Sequence, residues 1–184
     1  MLRRFSILAA VFLLFLSACG AGERPSERIQ AHHAALERFS WSGTLRVDYG
    51  GHVLDFGLEC ETEPEQMRLR VTSPELLRGL SATLTADGAA AALEYDGLVL
   101  ETGKLPGTAL SPLELIPLIR RQWSGGYVIA EAREPLRGQT VNRLTYATGN
   151  LEIDVWYAPD HTPLICEVAA GGVQVARLTL DTFN

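Results

Sequence analysis

Residues 41–61, WSGTLRVDYGGHVLDFGLECE, alternate with a period of two. Trp41, Gly43, Leu45, Val47 and Tyr49 take every odd position, with Ser42, Thr44, Arg46 and Asp48 between them. Successive side chains on a strand point to opposite faces, so this is a strand with one dry and one wet side. Gly50-Gly51 marks a hairpin. On the return strand Leu54, Phe56, Leu58 and Cys60 share one face, and Asp55, Glu59 and Glu61 lie on or near the other. QMRLRVT repeats the logic, with Met67, Leu69 and Val71 set against Arg68, Arg70 and Thr72. Three such strands in a row predict an antiparallel meander.

Upstream, PSERIQAHHAALERF (25–39) reads as a helix capped by Ser26, with Ile29, Leu36 and Phe39 as its apolar stripe. Downstream, SPELLRG predicts a helical turn. Short strands follow at 80–86, 90–95 and 98–102, separated by Asp87-Gly88 and Asp96-Gly97. SPLELIPLIRRQW (111–123) is the second helix. Ser111 and Glu114 form a capping box, Pro112 stands at the first helical position, and Pro117 predicts a kink or a break. Five further strands are expected at 127–132, 140–147, 151–157, 164–168 and 173–182. The fold class is mainly β with two helical segments, and about eleven strands build one long antiparallel sheet. No βαβ alternation is present, which excludes a parallel sheet. A sheet of this length must curl, and helices or another cover must close its dry face.

The N-terminus has a different character. Met1-Leu2-Arg3-Arg4 is basic and residues 5–16 are almost entirely apolar. That run is too short to span a membrane as a helix, which needs about 20 residues. A basic start, a short apolar stretch and small residues after it describe a signal peptide over 1–18. Leu16-Ser17-Ala18-Cys19 resembles the bacterial lipobox, which implies lipidation of Cys19, a flexible tether over 19–25 and a folded domain over 26–184. Acyl chains at about 0.8 kcal/mol per buried methylene hold a protein on a bilayer without a spanning helix. The expected location is therefore the bacterial envelope, on the outer face of the cytoplasmic membrane or on the outer membrane.

Loss of Arg3 and Arg4 with the signal would move the formal charge from −6 to −8. An acidic chain with no basic run excludes nucleic acid as a partner class, because phosphate binding needs clustered Lys and Arg. Cys60 and Cys166 are either a disulfide or two buried thiols, and their spacing leaves both open.

Motifs for chemistry are missing. There is no HExxH, no CxxC, no phosphate-cradling glycine loop and no nucleophile elbow. His32-His33 point about 100° apart on a helix and read as exposed positions. Asp160-His161 falls in a turn, and Glu59, Glu61, Glu63 and Glu65 read as a solvated face. No catalytic residue, metal site or cofactor is expected. Trp123 could line an interior or brace its helix.

The stretch NLEIDVWYAPDHTPLICEVAAGGVQVARLTLDTF (150–183) resembles the end of the bacterial lipoprotein carrier and receptor superfamily, which includes LolA, LolB and RseB. A strand ending Val155-Trp156-Tyr157 runs through the turn Ala158-Pro159-Asp160-His161-Thr162 into a proline-led strand, Pro163-Leu164-Ile165, and a last strand closes on Phe183. The N-terminal helix followed by FSWSGTLRV fits the same scheme. The resemblance implies a half-open barrel plugged by the N-terminal helix and the central helical segment. It also implies an apolar hollow that holds an acyl chain or lipid. The inward stripe would then line it: Trp41, Leu45, Val47 and Tyr49 on the first strand, Phe56 and Leu58 on the second, Met67 and Leu69 on the third, with Ile116 from the helix. Relatives with a LolB-type role carry an exposed apolar loop early in the sheet, whereas Tyr49-Gly50-Gly51-His52 has no projecting leucine or tryptophan. Three readings follow: a carrier or receptor for an acyl chain or lipoprotein, a lipid-sensing module that engages a membrane protein, and a structural envelope lipoprotein with a filled interior.

Overall fold

The computed structural model describes residues 23–85, 91–102 and 112–184. Among them are two helices, α1 (Pro25–Ala34) and α2 (Pro112–Gly125), and eleven strands. The first six strands are β1 (Phe39–Asp48), β2 (Val53–Thr62), β3 (Gln66–Ser73), β4 (Ser81–Thr85), β5 (Ala91–Tyr95) and β6 (Leu98–Thr102). After α2 come β7 (Tyr127–Leu136), β8 (Gln139–Thr148), β9 (Leu151–Tyr157), β10 (Pro163–Ala170) and β11 (Val173–Phe183). All eleven form one open, curved antiparallel sheet in the order β6-β5-β4-β3-β2-β1-β11-β10-β9-β8-β7. The curved sheet with two helices closing its dry side is a half-open barrel.

The alternation in the sequence is the alternation of the strands. On β1 Phe39, Trp41, Leu45 and Val47 are buried, while Thr44, Arg46 and Asp48 are exposed. Cross-strand partners match in kind. Leu45 faces Phe56 on β2 and Leu178 on β11, and Cys60 faces Trp41 and Leu69. On the wet side Arg46 and Asp55 form a paired contact at 2.8 and 2.9 Å. That pair is fully exposed and contributes register more than stability.

Six of these strands form one wing, β1 to β6, and five form the other, β7 to β11. Every neighbour in a wing is also a neighbour in sequence. The exception is β1 beside β11, where the first and last strands meet. The chain leaves β6 at one edge of the sheet and re-enters at β7 on the opposite edge, so α2 has to cross the dry face. That is why α2 is apolar on several sides: Leu115, Ile116, Ile119 and Trp123 are all buried in the same core as the strands.

Three local expectations are corrected. The first helix stops at Ala34, and Phe39 belongs to β1, because Ser40 exchanges backbone hydrogen bonds with Asn184 at 2.9 Å. Arg24, not Ser26, precedes the helix. The Glu27 carboxylate accepts from the Arg24 N–H at 3.1 Å, and Ser26 instead donates to Glu131 on β7 at 2.5 Å. Pro117 does not break the segment into two helices: α2 runs continuously through it, with one amide donor removed near the start and Pro117 buried. Ser111, the other half of the expected capping box, lies outside the described residues, as do Cys19 and the signal segment.

Leu54 is half exposed in spite of its inward parity. β3 pairs with β2 only as far as Gly57, so the tip of the β1–β2 hairpin stands beyond its neighbour. Cys60 and Cys166 are two free buried thiols. β1 and β11 lie between their strands, and three strand spacings are about 14 Å, against about 7 Å for the longest Cα separation a disulfide spans.

At Gly43 the β1–β11 register shifts, and a Cβ there would run into the Thr179 carbonyl oxygen. Backbone, not a movable side chain, would have to give way. Gly43→Ala should therefore destabilise the fold by about 2–3 kcal/mol, whereas Ala in place of the exposed Thr44 should cost less than about 1 kcal/mol. Urea unfolding of the two variants measures the difference.

Candidate functional site

Under α2, in the wing β1–β6, the apolar faces do not fill the space between them. A cavity of about 190 Å³ remains. Phe56 and Leu58 of β2, Leu69 and Val71 of β3, and Leu93 of β5 form its floor and walls. Leu77 and Leu80 come from the turn between β3 and β4, and Pro112 and Leu113 from the first turn of α2. Ser81 is the one polar side chain in this lining, and Ala82 beside it is short. An engineered apolar cavity of about 150 Å³ stays dry and takes up benzene. A hollow of this size and lining therefore suits a short length of hydrocarbon and offers almost nothing to a polar ligand.

The turn is what leaves the space. Residues 74–80 contain a single 3-10 turn, Glu75–Leu77, which places Leu77 toward the cavity and leaves Leu76 81% exposed. The adjoining strand starts with Ser81-Ala82, too small to reach the opposite wall.

Of the nine interior residues expected from the sequence, Phe56, Leu58 and Leu69 line this cavity. Trp41, Leu45, Val47, Met67 and Ile116 are buried in the continuous packed cluster beside it, and Tyr49 is half-buried against that cluster. Tyr95, at the end of β5, is exposed and donates from its hydroxyl to the Leu76 carbonyl at 3.2 Å. Leu77, Leu80, Pro112 and Leu113 had no signal as lining residues, because each lies in a turn or at a helix start where periodicity carries no facing information.

Aromatic packing fills the other wing beneath the helices, and a second hollow of about 150 Å³ lies at its β7–β8 edge, lined by Pro25, Glu131, Ala132, Arg133, Asn142 and Leu144. His33 of α1 is buried, contrary to the exposed position its sequence suggests, and stands within 5.7–5.8 Å of the Trp123, Tyr157 and Phe183 rings. Its Nε2–H donates to the His161 carbonyl at 2.9 Å, which leaves Nδ1 unprotonated and without a partner. Burial pushes this imidazole down to about 4 from 6.5. The Tyr146 and Tyr157 hydroxyls bond each other at 3.0 Å. Trp123 thus braces α2 in this wing and does not line the cavity. Burial pushes both the Cys60 and the Cys166 thiols up to about 12, so neither is a nucleophile at neutral pH. Among the described residues no three His, Cys, Asp or Glu side chains are placed to share a metal ion.

No protein-family profile matches the sequence, and no curated protein matches it either. Solved structures do. An uncharacterized conserved protein from Thermus thermophilus superposes with a TM-score of 0.55 at 10% identity, covering 88% of this chain and 87% of its own. A DUF1329 family protein from Desulfovibrio piger gives 0.52 at 9% identity, over 86% and 89%. The eleven-stranded curved sheet with its two helices is the architecture implied by the C-terminal resemblance. The fold is LolA-like. A LolA superfamily protein from Nitrosomonas europaea also matches, with a TM-score of 0.41 at 10% identity, over 85% and 92%. Likeness at identities this low shows the fold alone and nothing about ligand.

Two outcomes test the distinction between cavity and core. Ala82→Leu adds volume into the hollow and should raise stability by about 0.5–2 kcal/mol, as cavity filling does. Leu45→Phe, in the packed cluster, should cost about 1–3 kcal/mol. Thermal melts of the two variants should move in opposite directions.

The buried imidazole sets a pH dependence. Below pH 6.5 the unfolded chain takes up a proton that folded His33 refuses until about pH 4. Stability should fall as pH falls through that window, by about 3 kcal/mol in all. His33→Phe should remove most of this slope in urea unfolding at pH 7.5, 5.5 and 4.

Proposed function

We propose that this protein is a lipid-anchored component of the bacterial envelope that holds an acyl chain, free or carried by a lipoprotein, without covalent chemistry. The observation that carries this reading is the 190 Å³ cavity with its hydrocarbon walls and single hydroxyl. Ligand pockets for whole drug-sized molecules run from about 300 Å³ upward. The hollow therefore receives the end of one chain, and the rest of the ligand stays outside. Binding of this kind draws on burial of apolar surface, at about 0.8 kcal/mol per methylene, and needs no acid, base or metal.

The LolA-like architecture supports this reading because such a sheet cannot close its own dry face. Cys19 supplies the second part. Its lipobox context makes it the acylated residue, with residues 19–25 as the tether that leads into α1.

Lipid extraction from purified protein, followed by mass spectrometry, tests the ligand. The parent chain should yield acyl lipid in near-stoichiometric amount, and Ala82→Leu should lose most of it while remaining folded. Absence of lipid from the parent would leave a structural envelope protein. Separately, Cys19→Ser should abolish incorporation of labelled fatty acid, and labelling that survives the substitution would refute the anchor.

A further inference from the structure

Every neighbouring pair of strands is antiparallel, so the strand ends sort into two groups at opposite ends of the sheet. One end carries the turns Glu63-Pro64-Glu65, Arg137-Gly138 and Asp160-His161, which are charged. The other carries Gly50-Gly51, Asp96-Gly97, Gly149-Asn150 and Gly171-Gly172, with the β3–β4 turn beside them. All nine exposed large apolar residues among the described residues lie at this second end. Val53 and Leu54 open β2, and Leu76 tips the β3–β4 turn. Tyr95, Leu98 and Val99 flank the β5–β6 turn. Tyr127 and Ile129 open β7, and Val173 opens β11. Leu98 is 71% and Tyr127 74% exposed.

Scattered apolar residues on a surface need no explanation, but confinement to one end does. These side chains come from both wings and from both faces of the sheet, so packing within the domain does not account for them. Two are tyrosines, the type that sits at a membrane–water boundary with its ring in the apolar layer and its hydroxyl wet. Glycine-rich turns between them keep bulk low, and the charged groups standing among them include Asp96 and the ion-paired Glu75 and Arg78, 2.7 Å apart. The cavity reaches toward the same end, through Leu77, Leu80 and Ser81.

We propose that this glycine-turn end of the sheet is a bilayer-contacting rim, which seats the domain on the lipid surface with the cavity facing the acyl layer. The inference rests on the acylated Cys19 proposed above for its geometry. Six residue steps separate Cys19 from Pro25 and extend at most about 20 Å. Ser26 is fixed to Glu131, four residues along β7 from Tyr127, a distance of about 13 Å. An acyl group on Cys19 therefore reaches the plane of the rim with length to spare. A protein partner or a second copy of this chain at the rim is the competing outcome.

The test uses the full acylated chain in phosphatidylcholine vesicles that carry a nitroxide on the acyl chain. Cysteines introduced singly by Leu98→Cys, Tyr127→Cys, Glu65→Cys or Arg137→Cys are labelled with bimane. Native Cys60 and Cys166 are buried and unreactive, so label reports the introduced site. Bimane at 98 and 127 should shift to the blue and be quenched by the nitroxide, and bimane at 65 and 137 should show neither. Replacing Leu98, Val99 and Tyr127 together by Glu should abolish quenching at a label introduced by Val173→Cys, with the thermal melt confirming an intact fold. Equal quenching at both ends, or none at the rim, overturns the proposal, and concentration-dependent self-association without quenching assigns the rim to a second copy instead. The mass of the N-terminal peptide reports the acyl group separately. If the N-terminal peptide proves unacylated, Cys19→Ser removes the label that its free thiol would take, and rim quenching in that variant would uphold the rim with the anchor overturned; an acylated chain without rim quenching would do the reverse.

Discussion

The seam between β1 and β11 is the contact on which the rest of this structure depends. All other strand pairs are made by consecutive segments, each closed by a short turn or connection. The seam joins residues separated by most of the domain: Trp41 with Phe183, Leu45 with Leu178, and Val47 with Ala176. Closing a loop of that size costs about 4 kcal/mol of chain entropy. The return is a continuous dry face across both wings. It is reinforced at one end by Phe39 stacked on Phe183 with ring centroids 5.3 Å apart, and by the Ser42 and Thr182 hydroxyls at 2.8 Å. Until β11 is in place, β1 is an unprotected edge with Trp41, Leu45 and Val47 uncovered, which is the arrangement that invites misassociation.

The two wings differ in how they are filled, and this decides where the hollow lies. β8 and β9 bring Tyr146 and Tyr157 beneath α1 and α2, where Trp123 and His33 complete a layer of rings. On the opposite side the shorter strands β4 and β5 contribute Ser81, Ala82 and Leu93, and among the described residues the first turn of α2 stands over them. Rings fill the space beneath the helices in one half, and the short Ser81 and Ala82 stand at the hydrocarbon-walled hollow in the other. The plug is the same helix in both halves, and it does different work at its two ends.

Much of this was legible in residues 41–61 and their repeats. The parity of Trp41, Leu45, Val47, Phe56, Leu58, Met67 and Leu69 gave their inward direction correctly, because a strand has only two faces. Parity does not say whether an inward leucine meets another side chain or empty space. Leu45 and Leu58 look alike in sequence, yet Leu45 is sealed by β11, and Leu58 faces the gap under α2. The fate of His33 depends on the turn at Asp160-His161, and the separation of Cys60 from Cys166 on the insertion of β1 and β11 between their strands. Each is a property of long-range order in the sheet, which no local window contains. The clustering of exposed apolar side chains at one end is equally invisible along the chain, since it appears only when alternate strands are reversed.

The attachment of α1 has a mechanical consequence. Three side-chain bonds fasten it to the barrel: Ser26 to Glu131, Gln30 to the Gly126 carbonyl at 2.6 Å, and His33 to the His161 carbonyl. Tension applied from the N-terminal side of the chain meets these three in turn, like the teeth of a zip, before it reaches any strand. β1 comes next and is loaded along its length, in shear against β2 on one flank and β11 on the other. Peeling a short helix takes little force, whereas shearing a strand held on both sides takes a great deal. The helix is thus the first element to take load, in series with the stiffer barrel behind it.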